Sequence, residues 1–231
     1  RTPAPSSGGL TTFTVAGVTT PTIGGTYYGR LETFASTDAS GVSQDTGGLA
    51  ISFVETDVSI KTYVPPFLEF CIGNLIENED CATATGNYID FGDFSTTKAS
   101  TGQTKMLVAT NAEYGYSIAV TGTTLTSGTN VIPPLTVGTV SKPGTSQFGM
   151  NLRANATPAA GEDPIGLGRG TPSADYNTPN QYKFASGDVI ASYKGPDYRK
   201  VYTANYIVNI AKDQAPGVYV STLTYIALAT F

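Results

Sequence analysis

The sequence predicts an all-β protein, an antiparallel β-sandwich of immunoglobulin-like or jelly-roll-like type with about ten or eleven strands. Short runs in which apolar and polar residues alternate recur along the 231 residues, and a period of two is the period of a half-buried strand. The 26 glycines and 14 prolines punctuate these runs, as turn residues do. No window has the 3.6-residue period of a helix of useful length, so we expect negligible helix.

The N-terminal quarter contains three candidate strands. After a Pro/Ser/Gly-rich leader, Leu10–Val18 alternates polar and apolar residues and is a short candidate strand. Thr26–Ala35 is a second. Residues 35–48 are mostly Ser, Thr, Asp and Gly, which predicts an exposed loop. Gly48–Val64 is a long extended run whose alternation changes phase part-way, which indicates a bulge or a switch between sheets.

The central part continues the pattern. A region from 155 to 180 has no period and is rich in Pro and Gly, so we expect a long surface loop there. The further candidate strands are Asn87–Phe94, Thr104–Thr110, Tyr114–Thr121, Ser146–Ala154 and Tyr182–Tyr193.

The final stretch is apolar on both of its faces. Val218, Val220, Ile226 and Leu228 share one face, and Tyr219, Leu223, Tyr225 and Phe231 share the other. A strand with two apolar faces is typical of the middle of a sheet. Pro216-Gly217 supplies a turn, so we expect a closing hairpin with the run that begins at Val201. We divide the chain into an N-terminal extension, residues 1–20, and a sandwich domain, residues 21–231, with a second boundary considered near 64–67.

Charge and residue types exclude several functions. Charged residues are 13% of the chain, about half the usual ~25%, and the net charge is −5 without any basic run. Nucleic acid and anionic membrane surfaces are therefore poor partners, and no apolar stretch is long enough for a membrane span. The absence of histidine removes Ser-His-Asp and Cys-His catalysis and histidine metal sites. We expect no catalytic residues, no enzyme activity and no cofactor.

The chain has two cysteines, Cys71 and Cys81. An even count in a charge-poor, Thr/Gly-rich chain predicts an oxidising, extracellular setting and one local disulfide. The alternative is two free buried thiols. The chain begins at Arg1 rather than methionine, and we expect that a signal peptide has been removed.

Two weak sites remain. Glu77, Glu79 and Asp80 lie in the loop between the cysteines, and oxygen-rich loops bind calcium. The regular ligand spacing of a calcium loop is missing, so solvated acidic side chains are the first expectation and no metal site is predicted. Asn155-Ala156-Thr157 is a lone glycosylation sequon, a pattern that arises often by chance.

The C-terminal stretch and three central blocks of the chain resemble known families. The ending APGVYVSTLTYIALATF resembles the final strand of fimbrial subunits, of spore-coat-protein-U-like proteins and of WxL-type surface domains. The blocks VPPFLEFCIGNLIENEDC, GNYIDFGDFSTT and MLVATNAEYGYSIAVTGTTLTSGTNVIPPL resemble secreted β-sandwich surface proteins of ultrasmall bacteria. The resemblance implies export and a cell-surface role and supplies no catalytic residue. The chain has no tryptophan, so the Trp-x-Leu signature and its peptidoglycan binding are not carried over.

The leading functional hypothesis is a structural subunit of an extracellular, pilus-like filament whose partners are further copies of the chain. The N-terminal segment would be a donor strand, with Leu10, Phe13, Val15 and Val18 filling a groove of the next subunit. The alternative for this segment is pairing within its own subunit.

Two other functions are considered. A cell-surface adhesin or carbohydrate-binding module would use loops 35–48 and 155–180 to bind host surfaces or glycans, with Tyr176 and Tyr182 as candidates to stack on sugar. The alternative for these tyrosines is a place in the core. A glycoside hydrolase would use the carboxylates of Asp90 and Asp93.

Overall fold

The computed structural model describes residues 14–19, 21–53 and 59–231. The chain divides into two compact units, Arg1–Tyr63 and Val64–Phe231. The domain boundaries proposed from the sequence, at residue 20 and near 64–67, remain predictions beside this division.

The first unit contains one antiparallel hairpin. Its strands are β1 (Gly25–Phe34) and β2 (Ser43–Phe53), and Tyr27 faces Ile51 across the ladder. Because β2 begins at Ser43, only the first half of the loop expected at 35–48 is a loop. The error has a simple cause: the Gly-rich start of β2 has no apolar side chain to show alternation, yet its backbone pairs as well as any other.

The second unit contains fourteen more strands and two short 3-10 turns, Cys81–Thr83 and Ala174–Tyr176. The strands are β3 (Leu68–Gly73), β4 (Ser100–Thr110), β5 (Tyr116–Gly122), β6 (Thr126–Ser127), β7 (Asn130–Val131), β8 (Thr139–Val140), β9 (Gln147–Asn151), β10 (Asn155–Ala156), β11 (Ala159–Ala160), β12 (Thr171–Pro172), β13 (Gln181–Tyr182), β14 (Val189–Tyr193), β15 (Asp197–Asn209) and β16 (Leu223–Ala229).

The prediction of an all-β sandwich is confirmed. The described strands outnumber those expected because seven of them are only two residues long, which is too short to leave a periodic signal. Across the described ranges, no helix has the length and apolar character that a bilayer crossing requires.

Two four-stranded antiparallel sheets form the body of this unit. The first sheet has the order β3-β4-β15-β9, and the second has the order β12-β14-β5-β16. One hydrophobic cluster draws on strands of both sheets. Its largest fully buried side chains include Tyr202, Phe148, Met106, Ile118 and Ile190.

The region from 155 to 180 differs from the surface loop that we expected. Short pairings hold it to the sandwich: β10 pairs with β11, β12 with β14, and Ile165 bridges to Val201. Tyr176 and Tyr182 are fully buried, so their place is in the core and not on a sugar-binding surface. Pairings of two residues within a Pro/Gly-rich sequence have no period from which they could be predicted.

The expected closing hairpin is wrong. β15 lies between β4 and β9 in the first sheet, whereas β16 lies in the second sheet, where β5 is its partner. The chain around Pro216-Gly217 therefore crosses from one sheet to the other. The strand with both faces covered is β15, and β16 is an edge strand.

The predicted disulfide is confirmed between Cys71 and Cys81, with an S–S distance of 2.04 Å. The loop that it closes covers the outer face of the first sheet. There Ile76 packs with Leu107 and Val201, and the two half-cystines lie against the same small cluster.

Candidate functional site

The second sheet ends on an open edge. Among the described residues, no strand pairs with the side of β16 that faces away from β5. The outward face of β16 is apolar as well as exposed, since Ile226 is 41% and Leu228 61% accessible. An unpaired strand edge is a surface that natural sheets normally protect.

The backbone groups on the open edge can be identified from the hydrogen bonds on the other side. Thr230 N donates to Gly115 O over 3.0 Å. In an antiparallel pair, hydrogen-bonded residues alternate with residues whose amides face outward. Val120 of β5, which lies opposite Tyr225 of β16, donates its N–H to Asp188 O just before β14. Val120 and Tyr225 therefore direct their backbone groups away from each other. Four β16 residues therefore direct N–H and C=O to the open side: Leu223, Tyr225, Ala227 and Ala229.

A cleft of about 500 Å³ lies beside this edge; we name it the edge cleft. Two segments of chain form its sides, 86–94 and 217–221. Side chains from both sheets form the rest of its lining: Ile72, Thr104, Phe148 and Tyr206 from the first sheet, and Leu223 and Tyr225 from the second, with Leu125 beside them. Of β16, only Leu223 and Tyr225 line the cleft, so it borders the first part of the edge, and its lining is polar as well as apolar.

Tyrosine hydroxyls join the two sheets in the depth of the edge cleft. Tyr206 of β15 and Tyr225 of β16 share a hydrogen bond, and Thr104 Oγ1 lies 2.8 Å from the Tyr206 hydroxyl. Tyr225 also donates to Met150 Sδ over 3.7 Å. Burial raises the pKa of both tyrosines above the ordinary value. Both hydroxyls therefore stay protonated at neutral pH and fix the distance between the sheets here.

The segment Asn87–Phe94, predicted as a strand, is not one. It belongs to no described strand, and it makes no backbone-to-backbone hydrogen bond within the described chain. Its alternation is nevertheless real: Ile89 and Phe91 are half-buried against the core, while Asp90 is exposed and Tyr88 is 75% accessible. Side-chain packing and one hydrogen bond, from Asn74 Nδ2 to Tyr88 O, hold this segment at the side of the edge cleft.

Gly102 leaves space for this segment to pack against the first sheet. A Cβ at Gly102 of β4 would lie 2.4 Å from Ile89 Cγ2 and 3.1 Å from Phe91 Cε1. At the far end, the Phe94 ring lies 6.5 Å from the ring of Tyr219. The missing side chain at Gly102 is what lets the segment approach the sheet.

Of the four predicted donor residues, the structure describes two. Val15 and Val18 are 76% and 72% accessible and lie in no described strand. Leu10 and Phe13 lie outside the described residues.

The weaker candidates have local structural roles. The Asp80 carboxylate accepts a hydrogen bond from Ala82 N over 3.0 Å and caps a 3-10 turn. No group of three or more acidic or cysteine side chains suited to a metal, Glu77 and Glu79 included, occurs in the described ranges. Asp90 accepts from Gly92 N over 2.8 Å at the side of the edge cleft, where Asp93 also lies.

The sequon asparagine is engaged inside the fold. The Asn155 side-chain amide donates to Asn151 Oδ1, Arg153 O and Ala160 O. A glycan on Asn155 would require these three hydrogen bonds to break, so the geometry disfavours modification of the folded chain.

Sequence reasoning did not find the edge cleft. Its signals were present in two places: the apolar face of β16 that proved to be exposed, and the alternation of Ile89 and Phe91 in a segment without a ladder partner. No protein-family model matches the chain, and no curated protein matches it significantly.

Proposed function

We propose that the protein is a structural subunit of an extracellular, pilus-like filament. Each subunit accepts a strand from its neighbour at the open edge of β16. The observation that carries this proposal is the combination of four outward-facing backbone positions on β16 with the adjacent edge cleft. Strand addition needs both features: a free edge gives hydrogen bonds and register, and a cleft takes alternate side chains.

The N-terminal segment is the proposed donor. Leu10–Val18 contains no charged residue, and Phe13 and Val15 alternate with threonine, so one face suits an apolar cleft and the other suits water. Nine extended residues span about 30 Å, enough to run along the seven residues of β16. The exposure of Val15 and Val18 agrees with a segment whose partner is another chain.

Such a contact is head-to-tail. The donor at one end of a subunit and the acceptor on its body are different surfaces, so the contact repeats without closing on itself and yields a fibre. The disulfide between Cys71 and Cys81 and the low share of charged residues support placement outside the cell.

Electron microscopy of the purified chain tests the proposal. We expect fibres from the full chain and monomers from a variant that lacks residues 1–20. A full-length variant with Phe13→Asp and Val15→Asp keeps the chain length and places charges on the donor face, and it should also remain monomeric. Fibres of normal length from both variants would rule out the N-terminal donor.

A further inference from the structure

The segment Asn87–Phe94 forms one side of the edge cleft, next to β16. It lines the edge cleft along with Leu223 and Tyr225 of β16, and its Ile89 and Phe91 pack against the core. We propose that this segment is a placeholder, which covers part of the core beside β16 in the free subunit and is displaced when the donor strand of a second copy binds. This inference rests on the proposed function.

The way the segment is held favours displacement. A strand that belonged permanently to the sheet would exchange backbone hydrogen bonds with a neighbour, whereas Asn87–Phe94 makes no backbone-to-backbone bond in the described chain. Its polar anchors are few: Asn74 Nδ2 donates to Tyr88 O over 2.5 Å, and Asp90 bonds within the segment itself. A donor that pairs with the outward groups of β16 gains hydrogen bonds that the placeholder lacks.

The side-chain patterns of the two segments match. Ile89 and Phe91 flank Asp90, and Phe13 and Val15 flank Thr14. Each segment thus presents two bulky apolar groups two residues apart with a polar residue between them, and in an extended chain such groups lie on one face. The donor pair can take the place of the resident pair while the apolar lining of the cleft stays covered.

This exchange supplies a reason why a free subunit does not expose the whole apolar lining of the edge cleft. Large exposed apolar surfaces associate non-selectively. No backbone ladder holds the placeholder. It can therefore cover the lining in the free subunit and still be displaced by a donor strand, which adds backbone hydrogen bonds.

Peptide binding tests the exchange. The probe is a fluorescent synthetic peptide with the sequence of residues 8–20, titrated into the full chain that carries Phe13→Asp and Val15→Asp, so that its own segment does not compete. Adding Ile89→Ser and Phe91→Ser weakens the placeholder, and we expect the peptide to bind about tenfold more tightly. The matched control is Tyr198→Ser, at an exposed tyrosine that does not line the edge cleft, and it should leave the affinity unchanged.

A second variant locks the placeholder in place and guards against loss of folding in the first. Cysteines replacing Ile89 and Gly102 can form a disulfide, because the Cβ built at Gly102 lies 2.4 Å from Ile89 Cγ2, one bond from the Ile89 Cβ. The oxidised form should bind the peptide at least tenfold more weakly than the same variant with both new thiols alkylated.

The outcomes separate the two proposals. Equal peptide affinity in the weakened, locked and control variants would overturn the placeholder and leave strand addition intact. No peptide binding to any variant, with fibres still forming from the Phe13→Asp/Val15→Asp chain, would rule out strand donation by the N-terminal segment and this inference with it.

Discussion

Tyr206 and Tyr225 hydrogen bond through their hydroxyls across the sandwich, one from each sheet. Replacing Tyr225 with Phe removes that bond but leaves Tyr206 its second partner, Thr104. We expect the free energy of unfolding to fall by about 1 kcal/mol, the usual net value of one hydrogen bond. Urea denaturation measures it, with Tyr198→Phe at an exposed tyrosine of β15 as the control. Equal losses in the two variants would mean that the bond contributes nothing.

Tyr182 differs from Tyr225, because its buried hydroxyl has no hydrogen-bond partner among the described residues. An unpaired buried polar group costs free energy, so Tyr182→Phe should leave stability unchanged or raise it by about 1 kcal/mol. Thermal unfolding at pH 7 measures this change. A loss as large as that of Tyr225→Phe would show that the hydroxyl has a partner.

Ionisation of Tyr182 should make the free energy of unfolding depend on pH in the alkaline range. Burial raises the pKa of Tyr182 from 10.0 to about 12, which is above its value in the unfolded chain. The stability that this group contributes is therefore complete below pH 10 and is lost as the pH rises from 10 through 12. The difference in stability between Tyr182→Phe and the parent should widen in favour of Phe over that window. A constant difference from pH 8 to 12 would contradict the assignment.

Asp197 fastens the chain around residues 169–170 to the core. Its buried carboxylate accepts hydrogen bonds from Arg169 N over 2.6 Å and Gly170 N over 3.0 Å, and Tyr116 donates a third. An asparagine keeps one acceptor oxygen and turns an amide toward a donor, so Asp197→Asn should cost about 2–3 kcal/mol. Denaturant unfolding measures the loss, and Asp213→Asn at an exposed position is the matched control.

Local alternation of apolar and polar residues predicts some strands of this fold and misplaces others. Alternation located β1, β4, β5, β9 and β14, and the burial of every second residue is clearest in β5. Alternation wrongly placed β16 in the middle of a sheet. Apolar residues on both faces of a strand do not reveal which residues, if any, cover the second face. Alternation also read Ile89 and Phe91 as a strand, because side-chain burial has the same period with or without a ladder.

The candidate site was beyond prediction for a related reason. An open edge is defined by which strand is last in a sheet, and that order depends on long-range pairings such as that of β16 with β5. No local property of residues 223–229 records it. The Asp197 contacts, which join positions 27 and 28 residues apart, are equally invisible to a local pattern.

The disulfide closes a loop with a sequence separation of ten residues. Loop entropy alone predicts that Cys71→Ala with Cys81→Ala lowers stability by about 2–3 kcal/mol. The loop carries Ile76 onto Leu107 and Val201, so looser closure should also expose that cluster. Thermal unfolding of the parent with and without reductant is the internal comparison. A parent protein whose melting temperature is insensitive to reduction would contradict this role.

Ala227 allows strand addition to be tested separately from folding. Its N–H faces the open edge of β16, so proline there removes a group that the pairing with β5 does not use, and edge strands tolerate proline at such positions. We expect Ala227→Pro to unfold within about 1 kcal/mol of the parent while fibre formation is abolished, because an incoming strand loses a hydrogen bond and meets the proline ring. Ala227→Val, which keeps the N–H, is the matched control and should still form fibres. Electron microscopy and denaturant unfolding of the same samples give both readouts, and a stable Ala227→Pro protein that forms fibres of normal length would exclude the β16 edge as the acceptor.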